Sequence, residues 1–203
     1  MVNGITVFNI REYLSVKDDQ ELGEEALKAL LSEFSCIKNT DVERFLKEQS
    51  IEFTKKNQSV TYLVFSNEDA SLLGYFTLAI KPISVNAKKF SNTMKRKNAR
   101  VSELDEKNST YTLSAYLIAQ LGKNYSDGAN EHITGEQLLQ AAVDTVKELQ
   151  YLAGGMVVFL EAENEEKLIH FYEEKNGFKR FDIKEIKSGT EDAHMLIQFL
   201  KVL

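Results

Sequence analysis

Between Tyr111 and Leu160 the chain reads as strand, long helix, strand, and no other feature restricts its fold as much. Tyr111 to Gly122 has strand character. Leu138, Leu139, Ala142, Val143, Val146 and Leu149 then recur at the spacing of one helical face. The continuous apolar run Met156-Val157-Val158-Phe159-Leu160 follows. A strand apolar on both faces is buried on both, which is the habit of a parallel β-α-β unit, and such a unit crosses over right-handed.

The flanking segments extend this sheet. Ile5 to Leu14 can supply a first strand, and Leu22, Ala26, Leu30, Leu31 and Phe34 repeat at helical spacing. Thr40 and Glu43 have the spacing of a capping box, and Val42, Phe45, Leu46 and Gln49 continue a second helix. Val60 to Phe65 and Leu72 to Val85 flank the turn-like Ser66-Asn67-Glu68-Asp69 and predict an antiparallel hairpin. The only proline, Pro82, falls late in its second arm, where an edge or bend tolerates it. Phe178 to Ile186 and His194 to Leu200, around Gly189, predict a closing hairpin. The expected order is β-α-α-β-β-β-α-β-α-β-β: an α/β (α+β) fold with a mixed sheet of six to seven strands and helices on both faces.

A chain of 203 residues, 43% hydrophobic, suffices for one sizeable core, so a single domain over residues 1–203 is expected. It carries a polar insertion, Asn86 to Ser109. The formal charge of -6 argues against a surface built as a whole to hold nucleic acid. The longest apolar runs, such as Leu72 to Ile80, are far short of the roughly 20 residues of a membrane helix. The N-terminus has neither a basic leader nor an apolar core segment, and the single cysteine, Cys36, fits a reducing compartment; a cytoplasmic location is expected. Cys36 reads as a small buried helix residue. No spacing of His, Cys and Asp resembles a metal site.

Chemistry is expected where the long helix begins. Thr134 is a good N-cap and Gln137 completes a capping box, so the amides of Gly135, Glu136 and Gln137 should point outward unpaired. With the helix dipole behind them they favour a phosphate oxygen, and Gly135 permits close approach. The same residues also read as a well-made helix start, and Glu136 opposes a phosphate. The upstream loop, Lys123 to Ile133, contains Gly128 and Asn130 and could fold over an anion.

Three segments together carry a resemblance: Gln120-Leu121-Gly122-Lys123 ending a strand, Ile133-Thr134-Gly135-Glu136-Gln137-Leu138-Leu139 opening a helix, and Asn164 through Phe171-Tyr172 to Gly177-Phe178. In this order of elements, nearly the whole chain resembles the GNAT superfamily of N-acetyltransferases. Of that family's glycine-rich phosphate loop it keeps only Gly135, with Ile133 where the first glycine would stand and Asn130 where Gln or Arg is usual.

The resemblance implies acetyl-CoA as cosubstrate, with its pyrophosphate on the main chain of Ile133, Thr134, Gly135 and Glu136. It implies the pantetheine arm along Leu121, Gly122 and Lys123 and on Asn164, and Tyr172 as proton donor to the departing thiolate. Amides aimed at a carbonyl oxygen and a phenol near sulfur both serve such a reaction. Leu168, Phe171 and Tyr172 share one apolar face, so a core tyrosine is the plainer reading of Tyr172. An attacking amine must shed a proton to a base or a water path. The strand Tyr111 to Gly122 has no carboxylate or histidine, so Glu161 is the nearest candidate base. Glu163 shares its face, and both also read as solvated strand-end carboxylates. His132 abuts the phosphate loop, whereas His170 and His194 look structural or superficial.

The insertion contains Lys88, Lys89, Lys95, Arg96, Lys97 and Arg100 with no acid before Glu103. It could meet tRNA, as in GNAT toxins that acetylate aminoacyl-tRNA, or the CoA phosphates, or simply be solvated. The expected acceptor is a small-molecule or peptide amine, with nucleic acid a lesser expectation, no membrane, and a homodimer left open. The competing reading is a GNAT-like module that binds acyl-CoA or a protein without turnover.

Overall fold

The computed structural model describes residues 4–15, 23–89, 102–186 and 194–203. In chain order the elements are β1 (Ile5–Asn9), α1 (Ile10–Ser15), α2 (Glu24–Ser32), and α3 (Thr40–Arg44), which continues through a π turn (Phe45–Gln49) into α4 (Ser50–Lys55). Then come β2 (Val60–Ser66), β3 (Leu72–Asn86), β4 (Leu104–Asp105), β5 (Thr110–Lys123), α5 (Gly135–Ala153) and β6 (Val157–Glu163). The chain closes with α6 (Glu166–Ile169), its π-helical continuation (His170–Lys175), β7 (Lys179–Ile186) and β8 (His194–Val202).

Hydrogen bonding runs in the order β1-β2-β3-β5-β6-β8-β7, with β4 paired to β5 alone. The expected mixed α/β architecture is therefore present, with β5 and β6 as neighbours on either side of α5 in the chain. The eighth strand comes from the polar insertion, where Leu104 and Asp105 pair with Tyr111 and Thr110. Most of that insertion's basic cluster, Lys95, Arg96, Lys97 and Arg100, lies outside the described residues.

Three local expectations need correction. The first strand stops at Asn9, not Leu14, because the Asn9 side chain accepts from the Arg11 amide and a helical turn follows, burying Ile10. Such side-chain bonds to the backbone compete with the extended state. Thr40 does not cap α3. Asn39 does, accepting from Asp41 N at 3.0 Å and Val42 N at 3.2 Å, while Glu43 turns back to the Cys36 amide at 2.7 Å. Cys36 is buried as expected, but in the loop between α2 and α3.

Contacts divide the chain into two compact units, one formed by residues 1–79 and 118–148, the other by 80–117 and 149–203. In the first, β1 to β3 pair antiparallel, and one face carries Leu63, Phe65 and Tyr75 under Ile10, Leu27, Leu31, Phe34 and Leu46. Leu138 of α5 reaches the other face, where a Cβ on Gly74 would lie 3.2 Å from it. Helices thus cover both faces. In the second unit, β8 lies between β6 and β7, antiparallel to both, over a core of Ile83, Tyr111, Leu113, Val157, Phe159 and Phe181. β2 pairs with β3 only as far as Leu78, so Pro82 falls beyond the reach of that ladder and costs it no hydrogen bond.

Candidate functional site

In the first unit the expected cofactor residues gather at the end of β5 and the start of α5. Thr134 N donates to Gln137 Oε1 at 2.8 Å, and Gln137 N to Thr134 Oγ1 at 3.1 Å, a complete capping box. The box corrects one expectation: the Gln137 amide is consumed by the cap. Gly135 N has no acceptor among the described residues, and Ile133 is buried, anchoring the turn from below. The upstream loop is a short 3-10 segment, Ser126–Glu131, with Asp127 and Gly128 both at positive φ.

Gly122 has a packing reason to be glycine. A Cβ there would lie 2.4 Å from Val42 Cγ1, and a Cβ on Gly74 would lie 2.6 Å from Gly122 O, so β3, β5 and α3 approach too closely for side chains at either position. Leu121 is half-buried beside it. Lys123 ends the strand. Burial, then repulsion from Lys38, holds its ammonium below the ordinary lysine range, with Glu136 countering. Lys38, which repels Lys123, stands 5.2 Å over the Tyr125 ring.

Asn124, which periodicity did not single out, fixes this strand end. Its Nδ2 donates to Leu72 O at 2.8 Å, its Oδ1 accepts from Ser35 N at 2.9 Å and Ser126 N at 3.1 Å, and its own amide donates to Leu73 O. The side chain is buried with both ends satisfied, which ties the β5 terminus to β3 and to the α2–α3 loop. A polar residue directly after a long strand was the only available hint. His132 is exposed, and His170 pairs with Glu174 at 2.7 Å.

In the second unit Asn164 is exposed just past β6, and its side chain has no partner among the described residues. Tyr172 sits in the π-helical stretch after α6, a geometry frequent at functional sites. Its ring is enclosed by Phe171, Phe178 and Phe199, with centroids at 5.0, 6.1 and 5.2 Å. Burial pushes its hydroxyl up to about 12. No hydrogen bond holds that hydroxyl among the described residues, yet it is not one of the fully buried orphan atoms, which are Thr54 Oγ1 and Ser59 Oγ. The phenol is thus caged, with no partner for its O–H among the described residues.

Glu161 occupies the other side of the same ladder. It pairs with Gln198 in register, and Gln198 Nε2 donates to its Oε1 at 2.6 Å, while Lys184 Nζ lies 3.4 and 3.2 Å from its two oxygens. Phe199, whose ring packs against Tyr172 at a 40° tilt, is the next residue along β8 after Gln198, so Glu161 and Tyr172 project to opposite faces. Glu163 is exposed at the strand end. No group of three or more potential metal ligands exists among the described residues. No helix there is long and apolar enough to cross a membrane.

No protein-family model matches the chain, and no curated protein matches its sequence. Solved structures do. AtaT complexed with acetyl-methionyl-tRNAfMet superposes with a TM-score of 0.59 at 18% identity, over 94% of this chain and 93% of that one. A tyrosine-to-phenylalanine mutant of KacT gives 0.58 at 18% identity, over 96% and 95%. AtaTR bound with AcCoA gives 0.52 at 16% identity, over 97% and 94%. At such identities the likeness speaks for architecture, and the chain accordingly has the fold of the GNAT N-acetyltransferases.

Proposed function

We propose that the protein is an N-acetyltransferase that moves the acetyl group of acetyl-CoA to a primary amine by direct attack while both are bound. The observation that carries this reading is Tyr172, a phenol caged by aromatic rings with no partner for its O–H among the described residues. Acetyl-CoA supplies the activated thioester. The main chain of Leu121, Gly122 and Lys123, together with Asn164, is suited to its pantetheine arm, and that of Ile133, Thr134, Gly135 and Glu136, beside Lys123 and Lys38, to its diphosphate. The Gly135 amide and the Asn164 side chain, both without a partner among the described residues, fit that assignment.

In the reaction the amine lone pair attacks the acetyl carbon, a C–N bond forms, and the C–S bond breaks with its electron pair going to sulfur. An ordinary thiol ionises at about 8.5, so a phenol at about 12 is the weaker acid. Tyr172 therefore acts on the leaving sulfur as a hydrogen-bond donor, and the proton that sulfur finally keeps replaces the one the nitrogen gives up. Gln198 and Lys184 already engage the carboxylate of Glu161 on the face away from Tyr172. In this reading the nitrogen's proton leaves through water.

The net charge of -6 favours a small-molecule or peptide acceptor. The likeness to AtaT, a protein complexed with acetyl-methionyl-tRNAfMet, supports aminoacyl-tRNA as the second acceptor class. The deciding experiment is calorimetry with coenzyme A beside thiol release from acetyl-CoA over an amine panel that includes aminoacyl-tRNA. Binding with turnover on at least one amine is expected. Binding without turnover on any amine would replace the enzyme by a non-catalytic acyl-CoA module, and absence of binding would end both readings.

A further inference from the structure

We infer that the second unit carries a separate binding site for a small zwitterion of the α-amino acid type, on the face of the β6–β8–β7 ladder opposite Tyr172. A cavity of roughly 290 Å³ lies there, with Phe159 and Ile83 among its apolar lining and Lys81, Glu161, Asp182, Lys184 and Gln198 around it. Its residues come from β3, β6, β7 and β8 of one unit. Such a volume is at the small end for ligand pockets, suited to a fragment the size of one amino acid and not to a whole nucleotide cofactor.

The polar groups define the ligand by what they leave open. Glu161 is the most enclosed of the charged pair it forms with Lys184, 18% exposed against 43%, and is oriented by Gln198. A carboxylate has about four acceptor positions. Gln198 takes one on Oε1 and Lys184 straddles the two oxygens, so Oε2 still has room for another donor. Asp182 uses only Oδ1, accepting from the Ile183 amide at 3.0 Å. Lys81 has no hydrogen bond or ion pair among the described residues. Two carboxylates with spare acceptor capacity therefore face an ammonium, one spare ammonium faces a carboxylate or carbonyl oxygen, and the apolar residues face a side chain. Two lysines and two acids sum to zero, so the site has no net attraction for a polyanion.

The test uses the whole protein without coenzyme A, so its outcome is independent of the acetyl-transfer reading. Titration of leucine, followed by calorimetry and NMR, should show saturable binding, while N-acetyl-leucine, which lacks the ammonium, should show none. Glu161→Gln and Asp182→Asn should each weaken leucine by about tenfold, and Lys81→Met, an exposed change harmless to folding, should weaken leucine more than isopentylamine. Equal binding of the acetylated probe, no saturable leucine binding, or affinities unmoved by all three substitutions would overturn the site.

Discussion

Helices α5 and α6 each bring a candidate functional group into position, by opposite routes. α5 runs for 19 residues, closes its own N-terminus with Thr134 and Gln137, and has a single apolar stripe. Its shape follows from local rules. α6 has four α-helical residues and no side-chain cap at Glu165 before it widens into the π turn that bears Tyr172. A helix this short is marginal in isolation. Glu173 holds Arg180 at 3.0 Å, Asn176 Nδ2 donates to Phe171 O, Lys201 donates to Asn176 O, and Phe199 supplies the floor. Gly177, at φ 68°, lets the Phe178 amide reach back to Tyr172 O. The capped start of α5 is thus a property of one segment, and the setting of Tyr172 a property of an assembly.

The contrast is most sharply tested at Tyr172. Tyr172→Phe should lower the rate of thiol release by about a hundredfold. It should leave the melting temperature nearly unchanged, since the lost O–H has no partner among the described residues. An unchanged rate in a stable variant would return Tyr172 to a core role. Alkali gives a second test. Tyr172 is raised to about 12, so the folded state keeps a proton that the unfolded state loses near 10. Its contribution is complete below pH 10 and fades as pH rises from 10 to 12. Urea unfolding across that window should show the wild type losing roughly 2–3 kcal/mol more than Tyr172→Phe.

Gly122→Ala probes the close approach of β3, β5 and α3 and should cost about 1–3 kcal/mol. Adding Val42→Ala, which removes the colliding methyl, should recover part of the loss. If Gly122→Ala melts like wild type, the glycine is not required by packing. The smallest effect belongs to the self-contained helix: Thr134→Ala should cost about 1 kcal/mol. The matching change Glu165→Ala at α6 should stay within about 0.5 kcal/mol, because no side-chain cap exists there to lose. Equal losses at the two helices would erase the difference between them.

The legible parts of the fold are those with strong period or local chemistry. The hairpin β2–β3, the long helix α5, the run Val157–Leu160 and the β7–β8 hairpin were all readable, because alternation and 3.6-residue spacing record which face is buried. The Ile10 helix and the Asn39 cap were missed because a single Asn side chain, bonding its own backbone, outweighed weak apolar patterning nearby. The capping box near Gly135 could be read from Thr134 and Gln137. Asn124 could not, since a buried amide satisfied by three segments leaves no period in any of them.

Sequence alone determined the β2–β3 and β7–β8 hairpins, the long helix α5 and its capped start, because alternation, helical spacing and capping each depend on residues close together in the chain. Tertiary structure decided what those pieces face. It set β8 between β6 and β7, so that Gln198 meets Glu161 on one side of the ladder and Phe199 meets Tyr172 on the other. It also brought Lys81, Asp182 and Lys184 to one cavity and pressed Val42 against Gly122. Side-chain period tells which residues of one strand share a face; which strand lies beside it depends on burial summed over the whole chain.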